Sequence, residues 1–120
     1  MKGFFNRILY INLSKKTYTY QPVSDEILKN TLGGKGLGTY LLQTENPKKV
    51  KPLSPENRLI ITTGPATGTK LWSQSRFGVF SKSPATGGYA ESYCGGSLAP
   101  KIKGCGIDAV VIYGKCDALS

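Results

Sequence analysis

The sequence predicts an α+β domain, rich in strand and carrying short helices, on three observations. Strand signals recur in six segments spread along the chain, and three segments read as short helices. Two of those helical segments follow one another directly, so the strict strand–helix alternation of a doubly wound sheet is absent. Finally, 120 residues with 39% hydrophobic content suffice for one core and are too few for two ordinary domains.

The first element is a hairpin: "RILYINL" at 7–13 alternates in apolar character, "TYTYQ" at 17–21 is rich in β-formers, and "SKK" turns between them. Ser24 then precedes "DEILKNTL", whose acids fall in the first turn and which Gly33–Gly34 ends, so a short capped helix is expected. "GKGLGTYLLQ" follows, with Leu37, Tyr40 and Leu41 at helical spacing. Prolines 47, 52 and 55 make 45–57 a loop. "RLIITT" at 58–63 reads as a buried strand stopped by Gly64–Pro65. Strand signals return at 76–81 and, more weakly, at 88–93, with Arg76 opening the first and Lys82 closing it. A short helix is expected near 97–103, because Pro100 is tolerated in a first turn. "DAVVIYG" at 108–114 is the cleanest strand.

Composition removes several function classes. Histidine is absent, which excludes histidine-based triads, imidazole metal ligands and histidine acid–base work. Cys94, Cys105 and Cys116 stand eleven residues apart with no CxxC pair, against a zinc or iron–sulfur site built from this segment alone. Their odd number, without a signal peptide, also argues against a secreted disulfide framework. No apolar run approaches the roughly 18–20 residues that span a bilayer. Asn6, Arg7 and Asn12 interrupt any signal-peptide core near the start. The expectation is a cytoplasmic chain that does not enter a membrane. Net charge is +9, with ten of the basic residues in the first sixty positions. Such an excess suits nucleic acid, an anionic cofactor or an acidic partner, and "KKVK" at 48–51 reads most simply as a solvated face.

Three glycine-rich stretches raise the question of phosphate binding. "TGPATGTK" at 63–70 has three residues between its glycines where a P-loop needs four, and Leu71 follows the lysine, so the P-loop is rejected. "GGKGLG" at 33–38 follows a helix where a dinucleotide fingerprint needs a strand, and reads as a tight helix–helix junction. The region 76–96 differs. There Arg76 offers a planar fork for phosphate, and Tyr93–Cys94–Gly95–Gly96 brings bare backbone up to the start of a helix. The plain alternative is that these glycines only turn a sheet corner.

At these residues the chain resembles a known family. "GGKGLGTYLL", "PLSPENRLIITTGPATGT", "SRFGVFSKSPATG" and "GGSLAPKIKGCGIDAVVIYGK", in that order, are similar to the N-terminal segment of aldehyde ferredoxin oxidoreductases. The likeness runs from "RILYINLS" to the Gly114–Lys115 pair, and its specificity lies in the combination of motifs.

The resemblance implies a β-rich base domain carrying a tungsten, sometimes molybdenum, bis-pterin cofactor. It implies a magnesium ion joining the two phosphates, and a [4Fe–4S] cluster bound by later domains. Family members oxidise aldehydes to carboxylic acids and pass electrons to ferredoxin. By the same resemblance Arg76 meets the pterin–phosphate part, while the turn at Tyr93, Gly95 and Gly96 supplies backbone contacts. One of these is the Tyr93 carbonyl toward magnesium. The family carries asparagine where this chain has Tyr93. A backbone carbonyl contact survives that change, and a side-chain contact does not.

Residues 1–120 are thus expected to be an incomplete N-terminal cofactor-base domain of a larger oxidoreductase. The segment would contain no catalytic residue or metal-ligating side chain and would be inactive alone. The remaining domains would be its partners, and a homodimer is expected because a half-domain leaves strand edges and sheet surface uncovered. Two other readings compete. One is a basic nucleic-acid-binding module, which lacks an aromatic strand signature and has its basic residues scattered. The other is a non-catalytic scaffold subunit.

Overall fold

A computed structural model describes residues 2–118. Its elements run β1 (Arg7–Asn12), β2 (Thr17–Pro22), α1 (Asp25–Thr31), α2 (Gly34–Glu45), β3 (Leu59–Thr63), β4 (Phe77–Lys82), β5 (Tyr89–Cys94), α3 (Leu98–Gly104) and β6 (Ala109–Tyr113). The α+β expectation is met. Strand ends shift by one residue from expectation; the shift that matters is β4, which begins at Phe77, so Arg76 lies just before the strand and does not open it.

The six strands form one mixed sheet in the order β2-β1-β6-β3-β4-β5. Only β1 and β6 run parallel; every other neighbouring pair is antiparallel. Strand β6, the last in sequence, inserts between β1 and β3, which makes β2 and β5 the edges.

Alternation along the strands sorts side chains to two faces. Ile8, Tyr10, Ile60, Phe80, Ala109 and Val111 point to one face and are buried with Leu28 of α1 and Leu37, Leu41 and Leu42 of α2. A fully buried leucine or phenylalanine contributes about 1.5–3 kcal/mol, so this layer is the main source of stability. Helix α1 is capped as its sequence demands: the Ser24 hydroxyl accepts from the Ile27 amide at 3.3 Å, and Asp25 and Glu26 occupy the first turn.

The other face shows two cross-strand rows fixed by the register. Tyr20, Leu9, Val110, Ile61 and Val79 are successive partners across five strands, and Tyr18, Ile11, Ile112 and Leu59 across four. Tyr18, Tyr20 and Leu59 are exposed there. Among the described residues no helix is long and apolar enough to cross a membrane.

Candidate functional site

A cleft of about 230 Å³ opens at the end of the sheet where β3 and β5 finish, β4 begins and α2 starts. Its walls are contributed by Gly34 of α2, Thr62 of β3, Arg76 just before β4, Gly78 of β4, and Tyr93 of β5. The loop Gly64–Thr67, with Gln74, completes it.

Close packing brings these parts together. A Cβ on Gly38 would stand 2.3 Å from the Phe80 ring, and one on Gly36 would stand 2.0 Å from the Thr31 carbonyl oxygen. Absence of side chains at both positions lets α2 seat directly on β4 and against the end of α1. The turn between the helices is left-handed at Leu32 (φ 58°) and Gly33 (φ 70°), the tight junction that "GGKGLG" predicts. That junction points the start of α2 at the cleft, and Thr62 Oγ1 fastens it by donating to the Gly34 carbonyl at 2.9 Å.

Helix α2 begins without a side-chain cap and without an acid in its first turn. Its early amides therefore keep their positive field on the cleft side, where Gly34 forms part of the wall. Arg76 is exposed and, among the described residues, forms no hydrogen bond or ion pair. The cleft wall contains one cation and no carboxylate.

The loop between β3 and β4 is held by Gln74, which accepts from the Gly68 amide at 3.0 Å and donates to the carbonyls of Thr69 (2.8 Å) and Leu71 (2.9 Å). Beneath it, Thr67 Oγ1 accepts from the Gly64 amide at 3.1 Å. "TGPATGTK" is not a P-loop, yet its first half lines the same cleft as Arg76. The adjacent hollow of about 360 Å³ contains Lys103, whose ammonium is spent on the buried Asp108 carboxylate at 2.7 Å.

On the β5 side, Tyr93 stands edge-on to Phe80 and lies close over Gly78. Its phenol donates to Glu91 Oε2 at 2.8 Å, and Tyr89 donates to the same oxygen at 3.0 Å. Lys35, in the first turn of α2, pairs with Glu91 at 3.1 Å. Partial burial, and then the Glu91 carboxylate, push the Tyr93 phenol up to about 12. Bonds from Tyr93, Lys35 and Tyr89 hold Glu91 below the usual carboxylate range.

Of the four residues expected at the site, Arg76 and Tyr93 share the cleft wall. Gly95 and Gly96 do not line it; they form the exposed turn between β5 and α3. Gly96 takes φ +97°, and a Cβ on either glycine would meet nothing within 4 Å. Both thus present backbone to open space beside the cleft. Sequence reasoning passed over Gly34, Gln74, Lys35 and Glu91. Gly34 had a usable signal, being the second of a glycine pair that opens a helix; Glu91 had none, because its ion-pair partner comes from α2.

A family model described as aldehyde ferredoxin oxidoreductase, N-terminal domain, matches residues 8–120. The chain belongs to this family. Tungsten-containing aldehyde ferredoxin oxidoreductase of Pyrococcus horikoshii is 41% identical over 117 residues, 98% of this chain and 19% of that protein. An aliphatic sulfonate oxidoreductase, WOR-like subunit, of Pyrococcus furiosus is 35% identical over 96% of this chain and 19% of its own length. Among solved structures, a chain of the active-site complex BamBC of benzoyl coenzyme A reductase, with 1,5-dienoyl-CoA, superposes with a TM-score of 0.94. It is 31% identical, over 98% of this chain and 18% of that one. The chain therefore spans about a fifth of the length of these relatives. It corresponds to the N-terminal domain of tungsten oxidoreductases.

Proposed function

We propose that the chain is the cofactor-holding N-terminal segment of a tungsten, or molybdenum, bis-pterin aldehyde oxidoreductase. The observation that carries this reading is the meeting of Arg76, Tyr93 and the uncapped start of α2 in one carboxylate-free cleft. That donor set fits a phosphate. The Arg76 guanidinium can form two parallel charge-assisted bonds, and the first-turn amides of α2 add positive field. At about 230 Å³ the cleft takes one end of such a cofactor and leaves the rest to other domains.

In this reading Arg76 would hold the pterin–phosphate part, Gly95 and Gly96 would offer it bare backbone, and the Tyr93 carbonyl would be turned toward magnesium. When bound, the metal would supply the two-electron chemistry that converts an aldehyde and water to a carboxylic acid and two protons, the electrons being passed to a [4Fe–4S] cluster held by other domains and on to cytoplasmic ferredoxin. This chain's own residues bind and orient, and none moves a proton. The aldehyde substrate rests on the identity to the Pyrococcus horikoshii enzyme, which exceeds that to the sulfonate and benzoyl coenzyme A proteins.

Substitution of Arg76 in the longer oxidoreductase tests the proposal. Losing a charged hydrogen bond costs on the order of 1.5–3 kcal/mol, so Arg76→Ala should weaken cofactor retention about tenfold or more. Arg76→Lys should fall between, because an ammonium lacks the planar fork. Tungsten per protomer is the readout; full tungsten and full activity in Arg76→Ala would remove Arg76 from the site.

A further inference from the structure

Strand β5 is an edge strand whose residues contribute little to the apolar core. A polar lacing holds it to α2 instead. Tyr89, Glu91 and Tyr93 alternate along β5 and so share one face. Lys35 and Thr39, one turn apart on α2, meet them. Glu91 is the centre: it accepts from both phenols and pairs with Lys35, while Tyr89 Oη lies 3.1 Å from Thr39 Oγ1. The two elements tied in this way are the ones that bring the start of α2 and Tyr93 to the cleft.

We propose that Glu91 is a positioning residue: it fixes the Tyr93 ring as the β5 wall of the cleft and locks that wall to the first turn of α2. This rests on the reading of the cleft as a phosphate site. It assigns Tyr93 a role its backbone carbonyl does not have. The phenol turns away to Glu91, so the ring serves as a wall, and the Tyr93 main chain is held in register with Gly78.

The electrostatic effect of Glu91 runs the other way, which makes the idea testable. A carboxylate near an anion site repels the anion, so a Glu91 that acted only as a charge would weaken binding. Its removal would then tighten binding. If Glu91 positions the wall, Glu91→Gln weakens binding despite the lost repulsion.

The experiment titrates the 120-residue chain with inorganic pyrophosphate and follows it by calorimetry and by aromatic NMR. Glu91→Gln is expected to lose the contacts between the Tyr93 ring and Phe80 and to bind pyrophosphate about three- to tenfold more weakly. Tyr93→Phe, which alters no charge, should weaken binding in the same direction. Tighter binding by Glu91→Gln would overturn the proposal, as would unaltered Tyr93 ring contacts in that variant. Arg76→Ala separates the two levels. Unchanged affinity there sinks the phosphate reading and this proposal's functional half with it. Lost affinity there, with normal affinity in Glu91→Gln and Tyr93→Phe, sinks this proposal alone.

Discussion

Asp108 is fully buried at the head of β6, and its carboxylate is satisfied on every side: Lys103 at 2.7 Å, the Phe5 amide at 3.1 Å and the Arg7 amide at 3.3 Å. Lys103 also lies over the rings of Phe4 and Phe5. Breaking such a pair by removing one partner leaves an uncompensated buried charge, which costs roughly 3–5 kcal/mol. Lys103→Met should therefore lower the urea midpoint sharply, and a loss under about 1 kcal/mol would contradict the pairing. Nothing local in "GIDAVVIYG" distinguished this acid from a strand-edge residue, because its partners lie over a hundred residues back and on α3. Tyr93 allows a second check. Its phenol ionises near 12 in the fold against about 10 when unfolded, so its contribution to stability is complete below pH 10. That contribution disappears as pH rises from 10 to 12. An absorbance titration should show a phenol ionising near 12 that Tyr93→Phe removes; loss of an ordinary phenol near 10 would contradict the Glu91 bond.

At the scale of elements, the hairpin, the Ser24 cap and the junction at Gly33–Gly34 were legible, since each depends on neighbours in sequence. The sheet order was not. The placing of β6 between β1 and β3 is decided by which apolar faces meet, and no local pattern encodes it. The cleft was half legible for the same reason: Arg76 and Tyr93 come together only because β4 and β5 pair with Gly78 opposite Tyr93. Gly38 shows how much rests on the helix–sheet contact. Phe80 is fully buried and cannot swing aside, so Gly38→Ala drives a methyl into its ring. Overpacking of this kind costs typically 1–3 kcal/mol, and the clash here belongs at the upper end. Denaturant unfolding should show that loss, and Phe80→Leu in the same chain should recover part of it. A neutral Gly38→Ala would mean that α2 does not seat on β4 as described.

For the whole molecule, the two apolar rows on the open sheet face need a cover. The longer row crosses five strands about 4.8 Å apart, and with some five residues of about 3.3 Å along each the footprint is near 400 Å² per copy. Two copies would then bury about 800 Å², the size of a weak, concentration-dependent interface. The 120-residue chain is therefore expected to form a two-fold dimer through Tyr20, Leu9, Ile61 and Val79. Sedimentation over a wide concentration range should show it, and Leu9→Lys should return the chain to monomer. Monomer at every concentration would contradict the expectation.

The central claim is that this domain holds an anionic cofactor end in one built cleft, and a pyrophosphate titration followed through the backbone amide signals tests it most directly. Nonspecific attraction to a chain of charge +9 would move amides near the exposed lysines 48, 49 and 51. The cleft predicts a different set: Gly34, Lys35, Arg76, Tyr93, Gly95 and Gly96 shift together along one binding curve, and Arg76→Ala abolishes it. Shifts confined to 48–51, or a curve indifferent to Arg76→Ala, would contradict the account.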